Sequence, residues 1–184
     1  MISLGVDEVG RGCWAGPLVV GVCALKHTID GLKDSKSLTK QQRQRLVEQI
    51  KSKAVAYSLG WVSAQEIDAL GLTQATGLAI NRALKDIKID YDELIIDGNV
   101  NFIKDNLKAR TQIRADQSVA AVQAASVLAK TARDDYMLKQ SLIYPNYGFD
   151  KHVGYGTALH RQQLERYGLC DLHRLSFKPI RQWL

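Results

Sequence analysis

The alternation of apolar and polar positions divides the chain into strands near its start and alternating helices and strands afterwards. Ile2-Ser3-Leu4-Gly5-Val6 reads as a buried strand, with Asp7-Glu8 at or just past its centre. Pro17 to Leu25 is a second run of β-formers, opened by Gly16-Pro17, and the two runs predict a hairpin around a glycine turn. Leu32 to Leu38 is polar and loop-like. Thr39 stands as an N-cap before a helix from Lys40 to Lys51, whose Leu46, Val47 and Ile50 share one face. Ala54 to Val62 predicts a third strand. Ser63 caps a short helix over Ala64 to Ala69, which Gly71 breaks.

Thr73 to Lys85 predicts an amphipathic helix with Ala75, Leu78, Ala79, Ala83 and Leu84 on its apolar side. Tyr91 to Ile96 is a buried strand running into Asp97-Gly98, and Ala109 to Ile113 is a further short strand. A long alanine-rich helix is expected over Ser118 to Leu138, with Ser118 as its candidate cap. Glycine- and tyrosine-rich loops follow, and Thr157 can cap a last helix through Tyr167. This order predicts an α/β fold around a mixed sheet, one domain over 1–184, with 140–184 a C-terminal loop and helix extension.

Composition narrows the class. At 184 residues the chain can bury a proper core, and its apolar and charged fractions are those of a soluble globular protein. No apolar run approaches the roughly 20 residues that span a bilayer, and the opening strand is too short for a secretory signal. Cys13, Cys23 and Cys170 show no paired spacing, which suggests reduced thiols and a cytoplasmic location. Cys13 and Cys23 are most simply core fillers. The net charge of +6 and pI near 9.2 favour a polyanionic partner.

The candidate chemistry sits at Val6-Asp7-Glu8-Val9-Gly10-Arg11-Gly12. The adjacent carboxylates can grip a hard divalent cation. The turn offers backbone N–H groups and a guanidinium to a phosphate. A charged pair in an apolar strand is costly unless compensated, and a metal compensates it. Asp97 falls at a strand end, where open α/β sheets place ligands. Asp116 follows a short strand. A lone aspartate in such a place is commonly a cap or turn residue.

Lys36, in Asp34-Ser35-Lys36, is either a solvated loop residue or a lysine reaching a phosphate. Tyr155, between Gly154 and Gly156, is placed for stacking on a sugar or base. His152, His160 and His173 lie too far apart in sequence for a zinc site.

Taken in order, several segments resemble type 2 ribonuclease H over almost the whole chain. They are Asp7 to Gly12, Asp34-Ser35-Lys36, Ile96-Asp97-Gly98, Asp116 with Ser118 to Lys130, Arg133-Asp134, Tyr147-Gly148-Phe149 and His152 to Thr157. The resemblance implies an RNase H-like fold with a small C-terminal helical region. It implies an endonuclease that cuts the RNA strand of RNA–DNA hybrids and single ribonucleotides in duplex DNA. By similarity Asp7, Glu8, Asp97 and Asp116 would hold two Mg²⁺ or Mn²⁺ ions. Gly10, Arg11 and Gly12 would read the 2′-hydroxyl, and Tyr155 would stack on the following deoxyribose.

This chain departs from the family's usual lysines at Val153 and at Arg114-Ala115. Asp134 and Asp135 are rivals for the fourth ligand. A helix starting beside the site carries Asp134 about 25 Å along it, which favours Asp116. A type 3 enzyme is disfavoured, because the first strand begins at residue 2 and leaves no room for an extra N-terminal domain. A resolvase-like nuclease and a non-catalytic nucleic-acid binder remain as rival readings. No membrane partner is expected, the chain is expected to be a monomer, and Arg181-Gln182-Trp183-Leu184 is no clear sliding-clamp motif.

Overall fold

The computed structural model describes residues 1–184. Its sheet contains β1 (Ser3–Val9), β2 (Leu18–Leu25), β3 (Ala54–Val62), β4 (Glu93–Asp97) and β5 (Ala109–Gln112), in the order β3-β2-β1-β4-β5. β1 and β2 form the expected antiparallel hairpin, β2 and β3 are antiparallel, and β1-β4 and β4-β5 are parallel. The sheet is therefore mixed, with β1 at its centre. The first strand runs three residues past the predicted stretch, so Asp7 and Glu8 lie inside it.

Helices cover both faces. α1 (Lys40–Lys53) starts at a capping box, in which the Thr39 hydroxyl accepts from the Gln42 N–H and the Gln42 side chain accepts from the Thr39 N–H. α2 (Ala64–Leu70) starts at the same device built from Ser63 and Glu66. α3 (Leu72–Asp86) lays Ala75, Ala79 and Ala83 against Leu4, Val6, Val20 and Val22. The other face packs Cys23, Leu46, Val47 and Ile50 against Ala124, Ala125, Val127 and Leu128.

The small residues on the long helix let it approach the sheet closely. A Cβ on Gly21 would overlap the Ala125 carbonyl, and one on Gly5 would overlap the Ala121 backbone.

The expected helix from Ser118 to Leu138 is one helix that starts two residues later, preceded by a separate turn. α4 is a single turn (Ala115–Ser118), the chain turns extended at Val119 (φ −108°, ψ 110°), and α5 runs Ala120–Ile143. Ser118 ends the short turn instead of capping the long helix, and its hydroxyl accepts from the Gln112 amide at 3.1 Å. α5 continues past Leu138 because no breaker intervenes before Tyr144-Pro145, where the proline disfavours helix at the preceding residue. α6 (Phe149–His152) is another single turn inside the expected loop. α7 (Ala158–Tyr167) is capped by Thr157 as predicted.

A third apolar cluster, with Ala15, Met137, Tyr147, Phe149, Leu164 and Ile180 buried, fastens the C-terminal segment to α5 and to the stretch after the Gly10–Gly12 turn. No helix is long and apolar enough to cross a membrane.

Candidate active site

Strand register brings the first two carboxylates together. β1 and β4 pair in parallel with a constant offset, from Ser3 opposite Glu93 to Val6 opposite Ile96. Asp7 and Asp97 each follow the last of these pairs by one residue, towards the carboxyl ends of the two parallel strands, and their charges act on each other. Side chains alternate along a strand, so Asp7 shares the α5 face with Gly5, and Asp97 shares it with Ile95. Neighbouring strands lie about 4.8 Å apart. Glu8 points to the opposite face.

The Asp97 carboxylate accepts from the Ala115 N–H at 2.7 Å and the Asp116 N–H at 3.4 Å, which fixes the turn carrying Asp116. Arg114 enters that turn in the left-handed conformation, φ 57°.

Charge crowding and burial perturb these groups. Burial pushes the Asp7 carboxyl up to about 8; a hydrogen bond with Ser126 opposes this, and the charges of Glu8 and Asp97 add to it. Glu8 is also raised by burial, and Arg11 at 3.3 Å opposes the shift. Asp116 is buried and raised, first by desolvation and then by Asp97 and Asp34, against Lys36 at 3.9 Å. Ser126 on α5 is buried and shares a hydrogen bond of 2.8 Å with Ser35, which ties the Asp34-Ser35-Lys36 segment to the carboxylates. Ser126 carries no sequence signal of its own; only packing reveals it.

The donor set fits a hard divalent cation, since all four groups offer carboxylate oxygen. As the side chains are oriented, no three His, Cys, Asp or Glu groups stand close enough to chelate one ion. Glu8 leans on Arg11, Asp97 on two amides and Asp116 towards Lys36. Closing a cage requires these side chains to exchange their present partners for the ion.

The turn beside them is open on its outer side. A side chain on Gly12 would meet no protein atom within 4 Å. Gly10 is required, because its φ is +92° and a Cβ would overlap the Arg133 side chain. Arg11 lies over the Phe102 ring at 4.9 Å. Tyr155 is 41% exposed, and burial raises its hydroxyl, with the Cys13 thiol nearby. The glycines beside it allow close approach: Cβ atoms there would overlap the Ala15 carbonyl and the Trp14 ring. The Gly154 carbonyl accepts from the Trp14 N–H at 2.8 Å, so the Tyr155 turn and the loop after Gly12 are in direct contact.

Two expectations need correction. α5 passes the site at Ser126 and does not start there, so Asp134 lies only about 12 Å further along the helix. Asp134 is instead held between two cations, Arg43 at 3.2 Å and Lys130 at 2.7 Å. The three histidines also meet. His152 stacks on His160 with ring centroids 4.3 Å apart, and the Nε2 atoms of His160 and His173 are 3.0 Å apart. They form a buried hydrogen-bonded stack around Phe149, brought together by the fold from three elements.

At the C-terminus, Trp183 packs on Trp14 at 6.1 Å. Arg133 and Arg174, both fully buried, donate only to backbone carbonyls near the two turns.

The model of the ribonuclease HII family matches residues 4–180. A ribonuclease HII from Francisella philomiragia is 42% identical over 182 residues, which is 98% of each chain. Among solved structures, the ribonuclease H2 of Pyrococcus horikoshii superposes with a TM-score of 0.84 at 28% identity, covering 99% of this chain and 96% of its own. A ribonuclease HIII (Bst-RNase HIII) in complex with Mn²⁺ shares the fold at TM-score 0.78 and 20% identity, covering 99% of this chain and 68% of its own. With nearly every residue matched in both family and relative, the chain belongs to the ribonuclease HII family.

Proposed function

We propose that this protein hydrolyses the RNA strand of RNA–DNA hybrids and incises 5′ of single ribonucleotides embedded in duplex DNA, leaving 5′-phosphate and 3′-hydroxyl ends. The observation that carries the reading is the β1–β4 pairing, which puts Asp7 and Asp97 each one residue past the Val6–Ile96 pair, beside an open glycine turn. Asp7, Glu8, Asp97 and Asp116 are the proposed catalytic, metal-holding groups. Two Mg²⁺ or Mn²⁺ ions held among them would supply Lewis acidity at the scissile phosphate. The Mn²⁺ in the ribonuclease HIII relative of the same fold supports a divalent cation.

The other residues bind and select. The space outside Gly12 admits a sugar edge, and the free N–H groups of the turn can meet a 2′-hydroxyl, the one group that DNA lacks. Arg11, on Phe102, faces the flanking phosphate. Lys36, mostly exposed and only 3.9 Å from Asp116, is freed for phosphate when a cation takes over that carboxylate. Tyr155, 41% exposed on its glycine-flanked turn, stacks on the sugar of the next nucleotide. All these groups come from one chain, so the proposed active form is a monomer, acting in the cytoplasm.

A duplex carrying one ribonucleotide tests the reading. Incision on its 5′ side, dependent on Mg²⁺ or Mn²⁺ and lost in Asp7→Asn and Asp97→Asn, is expected. Equal cutting of the all-DNA duplex, or cutting of four-way DNA junctions alone, overturns it.

A further inference from the structure

The two turns assigned to reading the ribonucleotide are held from below by neighbouring residues of the C-terminal segment, His173 and Arg174. Both are buried, 2% and 0% exposed. Arg174 donates through Nη1 to the Arg11 carbonyl at 3.0 Å. Through Nε and Nη2 it donates to the Gly16 carbonyl, at 3.0 and 2.8 Å. It therefore grips both ends of the loop that carries Gly12, and it makes no salt bridge with any carboxylate. A guanidinium buried on carbonyls alone is costly for stability. Its backbone is locked as well, since the Arg174 N–H donates to the Trp14 carbonyl at 2.9 Å.

His173 reaches the other turn through one intermediary. The Tyr155 carbonyl can only accept, so His160 Nδ1, at 2.9 Å, carries a proton and donates. The Nε2 of neutral His160 then accepts, and His173 Nε2 donates to it across 3.0 Å. With Nε2 donating, His173 Nδ1 accepts from the Cys170 N–H at 2.9 Å, although the Cys170 carbonyl also lies 3.1 Å from it. Every ring nitrogen is used in one direction, from Cys170 through His173 and His160 to the Tyr155 carbonyl. Burial, which lowers both imidazoles to about 4, keeps the chain neutral and this order intact at neutral pH.

We propose that His173 and Arg174 are positioning residues that set the spacing between the Gly10–Gly12 turn and the Tyr155 turn, and so set selectivity for a ribonucleotide followed by a deoxyribonucleotide. Neither touches substrate. The pair acts because it is adjacent in sequence while its two side chains act on turns separated by more than 140 residues. This rests on the function proposed above, which the wild-type enzyme tests separately by incising at one ribonucleotide.

The experiment compares wild type with His173→Gln, His173→Leu and Arg174→Lys. Steady-state cleavage is measured on a duplex with one ribonucleotide and on a duplex whose cleaved strand is all RNA, with thermal melts alongside. His173→Gln keeps a donor near the Nε2 position and is expected to stay within about threefold of wild type. His173→Leu and Arg174→Lys are expected to raise KM for the single-ribonucleotide duplex at least tenfold. On the all-RNA strand, which presents no such junction, KM is expected to rise less than threefold.

A purely structural role would lower the melting temperature and the active fraction while leaving KM and the substrate ratio unchanged. That result, or equal losses in His173→Gln and His173→Leu, overturns the proposal. If wild type itself fails to incise at the ribonucleotide, the proposed function fails first.

Discussion

Asp7→Asn should make the metal-free protein more stable while abolishing its activity. In the folded chain Asp7 lies among apolar backbone and other carboxylates, and its carboxyl is pushed from 3.8 up to about 8. The folded state therefore holds a proton between pH 4 and 8 that the unfolded chain has released. Stability is lost as pH rises through that window, at about 1.4 kcal/mol per unit, a ceiling of about 4 kcal/mol at pH 7. Asparagine is nearly the same shape. Its oxygen can accept the Glu8 N–H that Asp7 now accepts at 2.8 Å, and its NH₂ can donate to Ser126.

Local rearrangement and water recover part of the cost, so a gain of about 2 kcal/mol is expected at pH 7, or about 5 °C in Tm. Melts in EDTA at pH 5, 7 and 9 should show the gap between variant and wild type widening with pH. Mg²⁺ or Mn²⁺ should raise the Tm of wild type and do so less in the variant. A gap that is absent, or constant from pH 5 to 9, refutes the reasoning, as does residual incision by the variant.

Three further outcomes follow from other parts of the molecule. Gly21→Ala forces a methyl into the Ala125 carbonyl and should cost about 3 kcal/mol in urea unfolding, with α5 driven off the sheet; a loss below 1 kcal/mol would contradict the close approach. Val153 is a β-branched residue at φ 44°, so Val153→Asn should raise stability by about 1 kcal/mol, read as a higher Tm with unchanged cleavage. His160 and His173 are held down to about 4, so the unfolded chain takes up protons first on acidification. Stability should fall between pH 6.5 and 4, by up to about 3 kcal/mol for each imidazole. Asp7 acts with the opposite sign in that range, so urea midpoints are best read in the Asp7→Asn background; a flat profile there would count against the neutral stack.

Local signals were legible where local physics decides. Thr39, Ser63 and Thr157 cap the helices their chemistry predicts, because a hydroxyl and the next turn's amides are all that a cap needs. The hairpin and the mixed sheet were legible for the same reason. The nearness of Asp7 to Asp97 was not, because it depends on which strands are neighbours and in what register, and that is settled by packing across 90 residues. The single turn Ala115–Ser118 was missed because four residues carry no helical period, so Ser118 read as the cap of the helix that starts at Ala120. The histidines looked scattered because their spacing along the chain has no bearing on a stack assembled from α6, α7 and the C-terminal segment.

The departures at Arg114 and Val153 acquire a physical meaning only with the backbone in view. They are the two non-glycine residues with positive φ, at 57° and 44°. Each leads into a part of the candidate site. Arg114 precedes the turn whose amides bind Asp97, and Val153 precedes the turn bearing Tyr155. Such conformations cost about 1–3 kcal/mol each and persist only where surrounding contacts enforce them. At Val153 the enforcing contact is Arg133, which donates to the Val153 carbonyl at 2.8 Å while its other nitrogens hold Pro17 and Ala15. Strain in the Tyr155 turn and the burial of an unpaired guanidinium are therefore one arrangement, and relaxing either should loosen the other. Val153→Asn removes strain while leaving that carbonyl in place, whereas Arg133→Lys removes the grip and leaves the strain. The first should raise Tm and the second should lower it by more than the first gains, and equal and opposite shifts would show that the two are not coupled.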